Sequence, residues 1–440
     1  MILSNEEIKS ITDAAIEASP ADEVEIQIEA GERADLRFGR NTPTNASLTR
    51  FVDVNVKCAY GAREAFAASS GADPETVRET VLRAAELARS APESPEYVPL
   101  LGVQEYEDVD GWDDGTASLS PSLRADTALT TIAEARSRGL VSSGYWENAA
   151  TVAVIANSAG LTTSQRATNA NYSVTMRSSS GASGWAAAAS HRAADIDGSR
   201  VTRAAVAKAL ASENPIELPP GAYQTVLEPS VMADMLAYMM GWMSRREADE
   251  GRSYFALNGQ RLGDAPFPEN IVIRSDPAYS ALPSRKWGEG GLPLRPTTWI
   301  DHGRVKNLSV SRYWAARNGL EAIGRPDVAI MDGADASLDE LVADVRYGLL
   351  LGSLFYVRLV DPRTMLLTGL SRDGLFLIEG GKVTRPVVNF RWNESPAALL
   401  QSVQRLGGSC VAVGKETGAS MVVPPILARE FHFTSVAPST

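Results

Sequence analysis

The short charged run at residues 245–252 holds the side chains best placed to do chemistry. Its sequence is Arg-Arg-Glu-Ala-Asp-Glu-Gly-Arg, so carboxylates and guanidinium groups fall within about two helical turns. Carboxylates can act as general bases or as ligands of a metal ion. At spacings of three and four residues they can equally form ion pairs with arginines on a solvated helix end. Contacts to a substrate or partner are the other interpretation, and for this role the candidate residues are Arg245, Arg246, Glu247, Asp249 and Arg252.

The histidines give little support for a metal site. A zinc hydrolase needs about three protein ligands and an open position for water, and this chain has three histidines in all. His302 lies in a predicted turn, His432 alternates with Phe431 and Phe433, and His191 follows a run of alanines. Because no two are close in sequence, we predict three independent structural or surface histidines and no metal ligand in this chain.

One helical pattern carries the charged run at its end. It begins at Pro229, where proline suits a first helical position, and stops at Gly251. Apolar residues recur along it at i, i+3, i+4 and i+7, namely Val231, Met232, Met235, Leu236, Met239, Met240 and Met243. The pattern predicts a single long helix whose methionine stripe packs in the core. An adaptable apolar groove is the second interpretation of the stripe.

The elements around this helix predict an α+β fold in two domains, residues 1–215 and 216–440, with antiparallel sheets and packed helices. In the first domain, alternating apolar residues predict strands, and Ser or Asp followed by Pro marks helix starts. The second domain is predicted to be rich in strands around the methionine helix. Two similar hairpins, at 300–305 and 378–383, are predicted to pair an acid with a base across the strands. A last helix is predicted to carry Leu399, Leu400, Val403 and Leu406.

Charge and composition exclude several classes of protein. The net charge is −12, from 42 basic and 54 acidic residues, and no basic run stands out, which argues against a nucleic-acid partner. The most apolar stretch, residues 349–360, is too short and too interrupted to cross a bilayer, and the acidic start lacks the features of a secretory signal. We therefore expect a cytoplasmic protein with no membrane association. Of the two cysteines, Cys58 is predicted to be a buried structural thiol.

The order of segments along the chain resembles the TldD/PmbA (TldD/TldE) family of zinc peptidases. The resemblance is strongest from about residue 220 onward, and looser at Arg40-Asn41 and at residues 156–160. In the TldD branch the end of the methionine helix carries His-Glu-x-x-x-His. Segments in the family's order follow at 276–293, 300–305, 313–319, 368–374, 376–383, 391–395, 421–425 and 431–433.

The resemblance also shows where this chain departs from the TldD branch. Glu247 and Ala248 are kept, but Arg246 stands at the first histidine and Gly251 at the second. A cysteine before Gly-Lys-Glu completes the TldD metal site, and here Val413 precedes Gly414. Arg246 would place a permanent cation where the metal sits. The resemblance therefore implies the metal-free, TldE/PmbA-like type, with no catalytic residue and no metal of its own.

For such a chain the resemblance implies a non-catalytic subunit of a heterodimeric zinc metallopeptidase that cleaves amide bonds in peptides. Zinc is then expected in a TldD-like partner, and the isolated chain is expected to form a homodimer through the same surface. Two alternatives stay open. One is a stand-alone hydrolase that uses Glu247, Asp249 and Glu250 as metal ligands. The other is a non-enzymatic protein with a peptide-binding or regulatory role.

Overall fold

The structure is a computed structural model that describes residues 3–259 and 262–437. Its α-helices are α1 (Asn5–Ala18), α2 (Pro74–Ser90), α3 (Asp114–Ala117), α4 (Pro121–Ser137), α5 (Gly198–Ala211), α6 (Pro229–Trp242), α7 (Arg245–Asp249), α8 (Arg312–Asn318), α9 (Leu338–Ala343) and α10 (Pro396–Gln401). Its strands are β1 (Glu23–Gly39), β2 (Thr42–Tyr60), β3 (Arg63–Ser69), β4 (Val141–Asn157), β5 (Thr162–Arg177), β6 (Ser183–Ser190), β7 (Gly221–Leu227), β8 (Ile273–Ser275), β9 (Thr297–Asp301), β10 (Arg304–Val305), β11 (Ile330–Met331), β12 (Tyr347–Leu351), β13 (Leu354–Asp361), β14 (Leu366–Ser371), β15 (Leu375–Glu379), β16 (Lys382–Pro386), β17 (Phe390–Glu394), β18 (Val403–Leu406), β19 (Cys410–Val413), β20 (Ser420–Val423) and β21 (Ile426–Val436).

The first half of the chain forms one antiparallel sheet in the order β3-β2-β1-β4-β5-β6. Alternation along β1 places its even-numbered residues from Val24 to Phe38, except Glu32, in the core. Helices α1 and α2 pack over the start of this face, and α4 and α5 over its other end. Cys58 is fully buried in the first of these cores, as the sequence predicted. The opposite face of β1 carries Glu25 and Gln27, and this polar face points toward the second half of the chain.

The second half encloses α6 between two sheets. One has the order β10-β9-β8-β11-β20-β19, and the other has nine strands in the order β13-β14-β17-β21-β7-β12-β15-β16, with β18 also paired to β21. All five methionines of the stripe are at most 4% exposed, which confirms the prediction of core packing. Each such burial contributes about 1.5–3 kcal/mol. The predicted α+β class is confirmed, although β7–β12 and β11–β20 are parallel pairs within otherwise antiparallel sheets.

The prediction of one continuous helix from Pro229 to Gly251 is wrong. Helix α6 ends at Trp242, Met243 has a non-helical ψ of 62°, and Ser244 is extended before α7 begins. The backbone of Ser309 replaces the helical hydrogen bonds here, donating to the Met243 carbonyl at 2.8 Å and accepting from the Arg245 N–H at 2.8 Å. The chain therefore turns at residue 243, and the charged run forms a separate five-residue helix.

Two further predictions need correction. Val403 and Leu406 belong to strand β18, since α10 stops at Gln401 and the residues beyond it pair with β21. Both predicted hairpins exist, but the acid and base that face each other do not form the predicted ion pair. Asp301 instead contacts Lys306 at 2.9 Å. Glu379 of the second hairpin contacts Arg385 at 3.6 Å. No helix in the described part of the chain is long and apolar enough to span a membrane.

Candidate functional site

Helix α7 is held by ion pairs one turn apart. The Arg245 Nε donates to both carboxylate oxygens of Asp249, at 2.8 and 2.9 Å. The Arg246 Nε donates to Glu250 at 3.1 Å. Asp249 also accepts a hydrogen bond from the indole N–H of Trp314 at 2.9 Å. Helix α7 therefore carries ion pairs at the i,i+4 spacing, and these give Arg245 and Asp249 partners within the chain.

Arg246 has a further partner that the sequence did not reveal. Its two terminal nitrogens donate to the two carboxylate oxygens of Glu96, at 2.9 and 2.6 Å. The guanidinium carbon lies 5.7 Å from the Tyr313 ring centre and 5.6 Å from that of Trp314. Glu96 is 150 residues away in a segment without helix or strand, so no local pattern could have indicated this pair.

Glu247 contacts Arg252, which follows the end of α7. The Glu247 carboxylate is 3.8 Å from an Arg252 nitrogen, and Arg252 also contacts Glu250 at 2.5 Å. Burial raises the pKa of Glu247, while the charge of Arg252 acts against that rise. Glu247 is therefore a carboxylate of raised pKa beside a cation, at the position of the glutamate in the His-Glu-x-x-x-His pattern of the TldD branch that this chain resembles.

A cleft of about 990 Å³ opens between the polar face of the first sheet and the second half of the chain. Of the five predicted contact residues, Arg246 lines it, and Arg245, Glu247, Asp249 and Arg252 do not. The walls carry acids and bases in equal number, which are Glu25, Glu64, Glu96, Glu289, Asp327, Lys57, Arg246, Arg285, Arg312 and Arg325. Such a lining suits a polar, zwitterionic or peptide-like ligand more than an apolar one.

The residues at the metal positions that the resemblance implies do not fit zinc. Arg246 is a cation engaged with two carboxylates, Gly251 has no side chain and a left-handed φ of 73°, and Val413 is apolar and buried. The three histidines lie apart: His302 contacts Asp301 and His432 contacts Glu394. Across residues 3–259 and 262–437, no group of three or more His, Cys, Asp or Glu side chains could hold a metal ion.

A buried charged cluster, unrecognised in the sequence, lies beside Val413. The Lys415 ammonium contacts the carboxylate of Asp373, which is itself buried and accepts from the Ser183 hydroxyl. Burial lowers the pKa of Lys415 to about 7, and the nearby cations, led by Arg372, add to this effect. Because Ser183 belongs to β6 and Lys415 to the segment between β19 and β20, the cluster joins the two halves of the chain.

Comparisons with known proteins agree with this architecture. Residues 220–435 match the family model of the PmbA/TldA metallopeptidase C-terminal domain. The structure of TldE from Thermococcus kodakarensis superposes with a TM-score of 0.86, covering 98% of this chain and 100% of that one at 18% identity. A second structure, from Thermotoga maritima MSB8, gives a TM-score of 0.84 with 97% and 100% coverage at 15% identity.

The sequence match is more limited in extent. A protein named metalloprotease from Methanothermobacter thermautotrophicus is 23% identical over 201 residues. That match spans 43% of this chain and 43% of the relative's length. Together with the cleft and its charged helix, these findings define an α+β protein of the metallopeptidase-like class. The second half of the chain, residues 220–435, belongs to the PmbA/TldD family.

Proposed function

We propose that this chain is the non-catalytic, TldE/PmbA-like subunit of a cytoplasmic heterodimeric peptidase whose zinc is held by a TldD-like partner. The observation that carries the proposal is the state of Arg246. Arg246 stands at the position of the first zinc ligand in the TldD branch that this chain resembles. Its guanidinium donates hydrogen bonds to Glu96 and Glu250. A guanidinium cannot ligate zinc, and Gly251 and Val413 offer no donor atom at the other two positions.

The cleft supports a role in holding a peptide. Its mixture of acids and bases, and the rings of Tyr313 and Trp287, offer both polar and apolar contacts to an extended chain. In a heterodimer this cleft would extend the partner's active site and help to select substrate. We expect an interface larger than about 2,000 Å², as in obligate complexes.

The carboxylates in and directly after α7 do not favour a stand-alone hydrolase, because they already have partners within the chain. Asp249 is bonded to Arg245 and Trp314, and Glu250 to Arg246 and Arg252. Ligation of a metal by Asp249 and Glu250 would require these contacts to break. Glu247 alone has no activated water to deprotonate without a metal ion.

The proposal is tested by comparing the chain alone with the chain co-expressed with a TldD-like protein. Alone, we expect no stoichiometric zinc by elemental analysis and no cleavage of an unstructured peptide. Co-expressed, we expect a stable complex by sedimentation, with zinc-dependent cleavage that a chelator abolishes. About one zinc per isolated chain, lost together with activity on chelation, would instead support the stand-alone hydrolase. A monomer that forms no complex would contradict the role as a subunit.

A further inference from the structure

The pair formed by Glu96 and Arg246 lies at the wall of the cleft, not in the core. Both residues line the cleft, and their side chains retain 46% and 35% of their exposure. Two parallel N–H···O bonds join the guanidinium to the carboxylate, at 2.6 and 2.9 Å. This fork is the geometry by which arginine recognises any free carboxylate, whether it belongs to the protein or to a ligand.

Other groups around Arg246 also favour a carboxylate at this place. The rings of Tyr313 and Trp314 flank its guanidinium, and Arg317 lies over the same two rings at 6.0 and 5.8 Å. The hydrogen bonds from Arg246 lower the pKa of Glu96, and the charge of Arg317 lowers it further. Two cations held against two aromatic rings thus make a small anion-binding subsite next to Glu250, and the Glu96 carboxylate of the same protein fills it.

The backbone that carries Glu96 is anchored on both sides of it. The Ser94 N–H donates to the Ala62 carbonyl at 2.8 Å, and the Tyr97 hydroxyl donates to Glu23 at 2.8 Å. The Leu100 N–H also donates to Glu23, at 3.1 Å. Displacement of Glu96 therefore needs only rotation of its side chain, while the backbone that forms the wall of the cleft stays in place.

An exposed ion pair of this kind contributes little to stability, since water and salt compete for both charges. A ligand carboxylate can therefore replace Glu96 at small cost, provided the rest of the ligand gains contacts in the cleft. The internal carboxylate then acts as a competitor, because it occupies the guanidinium for part of the time and reduces the apparent affinity of the ligand.

We propose that Arg246 is the binding site for a carboxylate of a peptide in the cleft, and that Glu96 occupies this site as an internal mimic of that carboxylate. The inference rests on the proposed function, because it takes the cleft to be a peptide site. The carboxylate can be the C-terminus of the peptide or the side chain of an acidic residue, and both have the same chemistry.

Three short, unstructured peptides of Gly, Ala and Ser separate these possibilities. The first has a free C-terminal carboxylate, the second is amidated, and the third is amidated with one internal Asp. Binding to the full-length chain is measured by calorimetry for the wild type, Glu96→Gln and Arg246→Gln. Arg245→Gln is the matched control, since Arg245 lies on the same helix and pairs with Asp249 outside the cleft.

We expect Glu96→Gln to bind a carboxylate-bearing peptide several-fold more tightly than the wild type, because the internal competitor is gone. Arg246→Gln should lose the preference for that peptide over the amidated one, and Arg245→Gln should retain it. If Glu96→Gln binds the first peptide more tightly than the wild type does, the ligand of Arg246 is a C-terminal carboxylate. If it binds the third peptide more tightly, the ligand is an acidic side chain. If all three peptides bind with affinities that neither substitution alters, the carboxylate site is disproved and peptide binding stands. If no peptide binds to any variant, both the carboxylate site and the peptide-binding role of the cleft fail.

Discussion

The buried carboxylate of Asp234 accepts hydrogen bonds from both the backbone N–H and the hydroxyl of Thr417, at 2.9 and 2.8 Å. A third bond, from the Glu416 N–H, is 3.2 Å long. Asp234 lies on α6 among the methionines, so these bonds fix the 414–418 segment against the helix. Only glycine allows the backbone at position 414 to approach the Asp234 carboxylate this closely, because a Cβ there would lie 2.3 Å from an Asp234 oxygen. Gly414 directly follows Val413, the residue at the third ligand position that the resemblance to the TldD branch implies.

Replacing Asp234 by Ala should therefore destabilise the protein strongly. The substitution removes the common acceptor of the Glu416 N–H, the Thr417 N–H and the Thr417 hydroxyl, and each of these hydrogen bonds contributes about 0.5–1.5 kcal/mol. We expect the free energy of unfolding to fall by at least about 2 kcal/mol in chemical denaturation. Thr417→Val is the control, since it removes one of the three bonds and should cost about 1 kcal/mol. A change below about 0.5 kcal/mol for Asp234→Ala would contradict this account.

Lys415 should make stability depend on pH in the alkaline range. Its pKa is lowered by burial from the ordinary 10.5 to about 7 in the folded protein. Between these values the unfolded chain binds one more proton than the folded chain, so the free energy of unfolding rises with pH. The slope approaches about 1.4 kcal/mol per pH unit for a single group. Lys415→Met should reduce this slope, whereas the same substitution at the exposed Lys382 should not. An identical pH profile for wild type and Lys415→Met would disprove the shift.

The sequence predicted well those features that depend on local pattern. The methionine stripe, the buried Cys58 and the capped start of α2 follow from apolar spacing and from Asp73 before Pro74. The break after α6 could not be predicted in this way, because the apolar period runs through Met243 with no local signal for a turn. The cause is the backbone of Ser309, which pairs with residues 66 and 64 positions earlier in the chain.

The candidate site was predicted only in part for the same physical reason. All five predicted contact residues pair with one another or with Glu250 near α7, and two of the pairs, Arg245–Asp249 and Arg246–Glu250, have the i,i+4 spacing that a helix provides. The cleft, however, is formed by segments distant in sequence. Glu96, Glu25 and Arg312 line it from three separate parts of the chain. No periodicity or motif connects such residues, so only the folded structure brings them together.

Arg246→Ala separates a structural from a functional role of the helix end. The ion pairs of Arg246 are exposed to solvent, so their removal should leave the denaturation midpoint of the isolated chain nearly unchanged. If Arg246 contacts a peptide, the peptidase rate of the complex with a TldD-like partner should fall several-fold. The denaturation midpoint and the peptidase rate are measured with one batch of the purified variant, alone and in complex with the partner. Unchanged peptidase rates across a range of peptide concentrations would show that the charged run is only a solvated helix end.

The last prediction is that Arg246→His combined with Gly251→His does not create a zinc site. Residues 246 and 251 do not lie on one continuous helix, because α7 ends at Asp249 and Gly251 has a left-handed φ of 73°. A histidine at 251 would either adopt this strained backbone or shift the chain.

The double variant also lacks the rest of what a zinc site needs. Val413 leaves the third ligand absent, and Glu96, freed from Arg246, is an exposed side chain and not a fixed partner for an imidazole ring. We therefore expect no zinc at micromolar concentration by calorimetry and no peptide cleavage by the double variant alone. The single variant Arg246→His serves as the control for unspecific binding. Zinc-dependent cleavage by the double variant would mean that the site is complete apart from its ligands, and that the assignment of this chain as a purely supporting subunit is wrong.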